Sequence, residues 1–187
     1  MIPIGISEIL KAVDGTLLWG DENGVVTNVV TDSRKAGKGS LFVPIVGERV
    51  DAHRFIPQVM QAGAGVTFSS RKDVAPAASG CCIYVEDTLA ALQKAGAYYR
   101  SRFDIPVIGV TGSVGKTTTK EMISAVLEKK YRVVKTQGNW NSQIGVAMMM
   151  FELEPETELA IFEMGMSLPG EMARLVEIAK PQTAVMT

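Results

Sequence analysis

Apolar positions along the chain change their period repeatedly, and each change predicts an element. The β-branched run 25–31 and the apolar run Leu41-Phe42-Val43-Pro44-Ile45-Val46 read as strands, the second with a proline suited to an edge or bulge. Ser7 is expected to cap a short helix through Val13. Phe55, Val59 and Met60 recur at helical spacing within 52–62, and Gly63 follows as a C-cap residue. Residues 65–69 read as a short strand and 88–101 as an Ala- and Leu-rich helix, with a Pro/Ala/Ser-rich connection at 71–80 between them.

From Ile105 onward the alternation is regular. Strands are predicted at 105–111, 131–136, 159–162 and 183–187, and helices at 116–129, 143–151 and 170–179. On the first of these helices Met122, Ile123, Val126 and Leu127 are expected to share an apolar face, with Lys120 and Glu121 at the surface. Such alternation predicts a parallel sheet with helices on its faces. Right-handed crossovers then collect the C-terminal ends of the strands along one ligand-binding edge. The expected fold class is α/β, with a small domain over 1–102 followed by part of a parallel-sheet domain over 103–187. The last strand runs to Thr187 with no loop after it, so the chain is expected to be a piece of a larger enzyme.

Composition narrows the partners. A chain of 187 residues buries enough surface to need no disulfide or metal staple. A net charge of −1 gives no basic surface for nucleic acid or an anionic membrane. No apolar run approaches the roughly 18–20 residues that span a bilayer, and the first residues lack the pattern of a signal peptide. Cys81 and Cys82 are adjacent, a poor geometry for a disulfide, so two free thiols and a cytoplasmic location are expected. His53 is the only histidine, so neither a histidine metal cluster nor a Ser–His–Asp triad is expected, and it reads as a capping or turn residue.

The segment Gly112-Ser113-Val114-Gly115-Lys116-Thr117-Thr118 lies between a predicted strand and a predicted helix. It keeps the G-x-x-G-K-T core of the phosphate loop, although Val110 replaces the first glycine of the longer G-x-x-x-x-G-K-[ST] pattern. Gly112 and Gly115 permit backbone conformations that aim amides at phosphate oxygens, and the helix that follows turns its positive end to the same place. Lys116 suits the β- and γ-phosphates, and the Thr117 hydroxyl suits Mg²⁺. The bland alternative is a glycine-rich turn that holds nothing. A dinucleotide loop fits less well, because it needs Gly at position 110 and an acid where Lys135 and Thr136 stand. Glu163 follows the strand 159–162 and is either a Mg²⁺ ligand or a solvated strand-end acid. Asn139, Asn141 and Gln143 follow another strand at the same edge, where their amides hold a substrate or simply tie a turn.

The loop and its flanks, Gly109-Val110-Thr111-Gly112 through Lys116-Thr117-Thr118-Thr119-Lys120-Glu121-Met122, resemble the ATP loop of the Mur ligases. Thr136-Gln137-Gly138-Asn139-Trp140-Asn141-Ser142-Gln143-Ile144-Gly145 resembles the family's T-x-G-N-x-N-N-x-I-G segment, and Phe162-Glu163-Met164-Gly165 its E-x-G. Upstream, Thr31-Asp32-Ser33-Arg34, Gly39-Ser40-Leu41-Phe42-Val43 and Asp51-Ala52-His53-Arg54-Phe55-Ile56 resemble its UDP-sugar domain. Ser142 stands where a second Asn is usual, and Ala52 where Gly is usual.

The resemblance implies a UDP-sugar-binding domain over 1–102 and a truncated ATP-binding, P-loop ATPase domain over 103–187. It implies ATP and Mg²⁺ as cofactors, Lys116 and Glu163 as catalytic residues, and Thr117 and Glu163 as metal ligands. Residues 112–118 (Gly112, Ser113, Val114, Gly115, Lys116, Thr117 and Thr118) would bind ATP. Ser33, Arg34, His53, Asn139 and Asn141 would bind substrate. The run Thr117 to Met122 favours the branch that joins D-Ala-D-Ala to UDP-N-acetylmuramoyl-tripeptide over the amino-acid-adding relative. A monomer without nucleic-acid or membrane partners is expected. Because the family enzyme is longer, 187 residues alone are expected to be inactive, and a non-catalytic nucleotide- or UDP-sugar-binding module is the rival reading.

Overall fold

Parallel strands covered on both faces are buried along their whole length, and this holds for two inner strands of the N-terminal sheet even though Ser40, Thr67 and Ser69 are polar. In the computed structural model, which describes residues 1–187, every residue of Ser40–Phe42 and of Val66–Ser69 is buried. The chain divides into two compact units, 1–95 and 96–187.

The first unit contains β1 (Ile4–Gly5), α1 (Ile6–Ala12), β2 (Thr16–Trp19), β3 (Val25–Val26), β4 (Asn28–Val30), β5 (Ser40–Phe42), α2 (Ile56–Gln61), β6 (Val66–Ser69) and β7 (Cys81–Tyr84). Helix α3 (Thr88–Arg100) begins here and runs across the division between the units. β1 and β3 form an antiparallel pair, and the larger sheet has the order β2-β7-β6-β5-β4. β4 to β7 are parallel and β2 is antiparallel. The segments after β4, β5, β6 and β7 therefore gather along one edge of the sheet.

Local chemistry explains where this unit departs from the expected pattern. The run 25–31 is two strands, not one. The chain switches sheets at Thr27, whose amide donates to the Gly39 carbonyl at 2.9 Å. Ser7 lies inside α1, and Gly5 is the N-cap, its amide held by Glu8 Oε2 at 2.8 Å. Helix 52–62 is a 3₁₀ turn (Ala52–Phe55) followed by α2. Pro44 falls after β5 and so interrupts no ladder. The apolar pattern predicts none of β1, β2 and β7. Both β7 cysteines are fully buried and unpaired, and burial pushes their thiols up to about 11 for Cys81 and about 12 for Cys82.

The second unit contains β8 (Val107–Thr111), α4 (Lys116–Leu127), β9 (Val133–Lys135), α5 (Gln143–Met150), β10 (Leu159–Glu163), α6 (Glu171–Ala179) and β11 (Thr183–Met186). Its sheet is parallel throughout, in the order β11-β8-β10-β9, so the expected α/β class holds. Val110, Leu159 and Ile161 form a core against which Ile123 and Leu127 of α4 pack. Met122 and Val126, expected on that face, are 66% and 71% exposed. The inward stripe is instead Lys120, Ile123, Ser124 and Leu127, at helical spacing but half polar. Lys120, expected at the surface, is buried.

Two long side chains tie down the start of this unit. The Tyr99 hydroxyl donates to the Leu153 carbonyl at 2.8 Å. The buried Arg100 guanidinium donates to the carbonyls of Phe103, Ile105 and Ala179. No helix is long and apolar enough to cross a membrane.

Candidate functional site

The turn from β8 into α4 has the backbone that a phosphate cradle needs. Gly112 has φ 141°, and a Cβ there would lie 2.0 Å from the Thr187 carbonyl oxygen. Gly115 is the left-handed N-cap of α4 at φ 79°. Only glycine adopts both conformations without strain. Ser113, Val114, Gly115, Thr117 and Thr118 are exposed. Lys116 Nζ folds back on the Gly112 carbonyl at 2.8 Å, a neutral acceptor that a phosphate oxygen would outbid.

Glu163 ends β10, the strand beside β8, and is 1% exposed. Its Oε2 accepts from the Thr117 hydroxyl at 2.8 Å and its Oε1 from Asn141 Nδ2 at 2.7 Å. Neither oxygen contacts a cationic side chain. A buried carboxylate held only by neutral donors keeps spare lone pairs and an uncompensated charge, which suits a hard divalent cation. With the Thr117 hydroxyl alongside, the donor set is all oxygen, as Mg²⁺ prefers. The solvated-acid alternative for Glu163 does not survive its burial.

Behind this carboxylate is a relay that the sequence did not reveal. The Glu163 amide donates to Thr136 Oγ1 at 2.8 Å, and Lys120 Nζ donates to the Thr136 carbonyl at 2.7 Å. Lys120 also pairs with Glu121 at 2.9 Å, and Lys135 holds the other oxygen of Glu121 at 2.8 Å. These bonds, that of Lys135 first, hold the Glu121 carboxyl below its ordinary range. The helical stripe 120-123-124-127 was the signal that could have found Lys120.

The amides after β9 diverge. Asn141 reaches Glu163, Gln143 turns to Glu171 at 2.9 Å, and the Asn139 side chain is exposed. Ser142 caps α5 by accepting the Gly145 amide at 3.2 Å, a task asparagine does equally well.

In the first unit, the C-terminal sheet edge carries the other expected residues. Ser33 and Arg34 form a 3₁₀ turn capped by Asp32. The Arg34 guanidinium is bidentate on Asp32, through Nε at 2.9 Å and Nη2 at 2.7 Å, and its side chain is 85% exposed. The bonds from Arg34 hold the Asp32 carboxyl down at about 2. His53 lies in the next turn along the chain and is buried. Its Nε2 accepts the Ser70 amide at 3.0 Å, which fixes the ring proton on Nδ1, and Nδ1 donates to Asp51 Oδ1 at 2.6 Å. Asp51 Oδ2 in turn holds Arg71 Nη2. Burial alone would raise the Asp51 carboxyl, but the bonds from His53 and the charge of Arg71 outweigh it and leave the group lowered. Ala52 sits in this turn at negative φ, so the alanine is unstrained.

This arrangement corrects one expectation, since a single histidine does build an Asp51–His53–Ser70 line. The Ser70 hydroxyl is 3.1 Å from Nε2. The Ser70 amide already occupies the Nε2 lone pair, however, so the ring is a poor base for that hydroxyl. His53 itself has no free ring nitrogen to offer a substrate.

A parallel sheet with a G-x-x-G-K-T turn on one strand and a buried carboxylate ending the next defines a P-loop nucleotide-binding module. Residues 25–137 match the Mur ligase family, catalytic domain, and residues 110–187 match the Mur ligase middle domain. The chain belongs to the Mur ligase family. It is 43% identical, over its whole length, to the UDP-N-acetylmuramoyl-tripeptide--D-alanyl-D-alanine ligase of Bacillus subtilis, of which it covers 41%. It superposes on MurF from Acinetobacter baumannii with a TM-score of 0.91 at 35% identity, covering 98% of this chain and 40% of that one. The MurF ligase from Thermotoga maritima in complex with ADP gives a TM-score of 0.78 at 34% identity, over 85% of this chain and 36% of that one. The chain thus spans about two fifths of the length of these relatives.

Proposed function

We propose that this chain supplies the muramoyl-nucleotide-binding and ATP-phosphate-binding parts of a ligase that joins D-Ala-D-Ala to UDP-N-acetylmuramoyl-tripeptide. The observation that carries this reading is Glu163, buried, paired with no cationic side chain and hydrogen-bonded to Thr117 of the phosphate loop. Residues 112–118 would cradle the ATP phosphates, and Lys116 would exchange the Gly112 carbonyl for a phosphate oxygen. Thr117 and Glu163 would hold Mg²⁺, which when bound neutralises phosphate charge. Asn141 keeps the Glu163 carboxylate aimed at the loop. In the first unit, the edge bearing Ser33 and Arg34 would take the UDP-sugar.

In the reaction proposed, a carboxylate oxygen of the tripeptide attacks the γ-phosphorus and the bond to ADP breaks, giving an acyl phosphate. The amine of D-Ala-D-Ala then attacks the acyl carbon and the bond to phosphate breaks. An amide forms and the amine gives up a proton. The loop contributes position and charge to the first step, the two things phosphoryl transfer asks of a protein. In such a ligase, contacts to adenine and to the dipeptide would come from residues other than these 187.

Calorimetric titration tests the reading. The chain is expected to bind Mg-ADP and UDP-N-acetylmuramoyl-tripeptide, and to release no phosphate when ATP, tripeptide and D-Ala-D-Ala are supplied together. Failure to bind either nucleotide at millimolar concentration would refute it.

A further inference from the structure

Arg71, like Arg34, follows a strand at the C-terminal edge of the first unit, and the function proposed above does not use it. Its backbone is pinned by the buried Ser69, whose hydroxyl accepts the Arg71 amide at 2.9 Å and donates to the Arg71 carbonyl at 2.8 Å. Its guanidinium is held by Asp51, which is oriented by a histidine whose side chain is 2% exposed. That histidine also fixes the amide of the neighbouring Ser70. Three side chains thus converge to set the direction of one arginine, whose own side chain remains 56% exposed.

An exposed ion pair adds little to folding, so stability does not account for this scaffolding. A planar guanidinium fixed through one nitrogen keeps its remaining N–H donors for a ligand and loses little freedom in binding it. Arg34 is prepared in the same way by Asp32. β4 and β6 precede the two arginines and flank β5, so their ends lie roughly 10 Å apart at the usual strand spacing. Two arginine side chains starting at that separation can close on one diphosphate.

We propose that Arg71 and the Ser70 hydroxyl form a second anion-binding element of the UDP-sugar site, with Asp51 and His53 as positioning residues behind them. The inference rests on the reading of this edge as the UDP-sugar site. It replaces direct substrate contact by His53 with an indirect role.

Binding of UDP-N-acetylmuramoyl-tripeptide to the 187-residue chain tests it by calorimetry, with thermal unfolding as the control for folding. Arg71→Ala is expected to weaken binding at least tenfold with little change in Tm, and Arg71→Lys to recover only part of it. Asp51→Asn is expected to weaken binding several-fold. His53 is the only histidine, so its ¹⁵N signals are unambiguous and should report an Nδ1–H ring that shifts when the nucleotide is added. In Arg71→Ala the ring should keep its tautomer but lose most of that ligand-induced shift. Wild-type affinity in Arg71→Ala alongside lost affinity in Arg34→Ala would overturn the inference and leave the UDP-sugar reading standing. No binding by the unsubstituted chain would overturn both.

Discussion

The Thr117 hydroxyl donates to Glu163 Oε2 at 2.8 Å, joining the first turn of α4 to the end of β10. The bond links the phosphate loop to a carboxylate 46 residues away, whose other oxygen accepts from Asn141 and which pairs with no cationic side chain.

Replacing the charge at this point separates its two roles. A buried carboxylate with only neutral partners costs folding energy, so Glu163→Gln is expected to leave the metal-free Tm unchanged or raise it. The same variant is expected to weaken ADP binding in Mg²⁺ by about tenfold or more, about 1.4 kcal/mol, while ADP binding in EDTA stays as in the parent. Equal weakening with and without Mg²⁺ would count against a metal role.

Lys120→Met tests the relay behind the site. It leaves the Thr136 carbonyl unpartnered in the interior, while the half-exposed Glu121 keeps Lys135. The expected loss is about 1–3 kcal/mol, the cost of an orphaned buried polar group. Urea unfolding should show it as a lower midpoint with an unchanged m-value.

The buried cysteines set an alkaline limit. Burial raises Cys81 to about 11 and Cys82 to about 12 from an ordinary 9.0, so the folded state holds these protons more tightly than the unfolded chain does. Their contribution is complete below pH 9 and is lost as the pH rises toward 11–12. Native protein at pH 8 should react with Ellman's reagent far more slowly than protein in denaturant, and Cys82→Ser should lessen the alkaline fall in Tm.

What the sequence made legible was local. The phosphate loop could be read because its glycines, lysine and threonine are consecutive and its flanks change from strand to helix period. Glu163 could be read because it ends an apolar strand. Its partner Asn141 could not be, since that contact depends on β10 lying between β8 and β9. Lys120 was misread because apolar Met122 and Val126 imitate a core face, while the true inward stripe carries a lysine and a serine. β7 escaped because Cys-Cys-Ile-Tyr is short and does not alternate, even though a turn-rich connection ends at Gly80 just before it, and β4 was fused to β3 because Thr27 looks like strand. The Asp51–His53–Ser70–Arg71 set joins residues that follow different strands, and only the parallel order of β5 and β6 brings them together.

The most direct measurement of the central claim compares Mg-ADP and Mg-ATP binding by the parent chain and by Lys116→Ala. Lys116 is bonded only to the Gly112 carbonyl, so its removal should leave the fold and Tm intact. The expected result is a loss of Mg-ATP affinity of at least tenfold, larger than the loss for ADP because the γ-phosphate is gone. Affinity for Mg-ATP unchanged in Lys116→Ala would contradict the account.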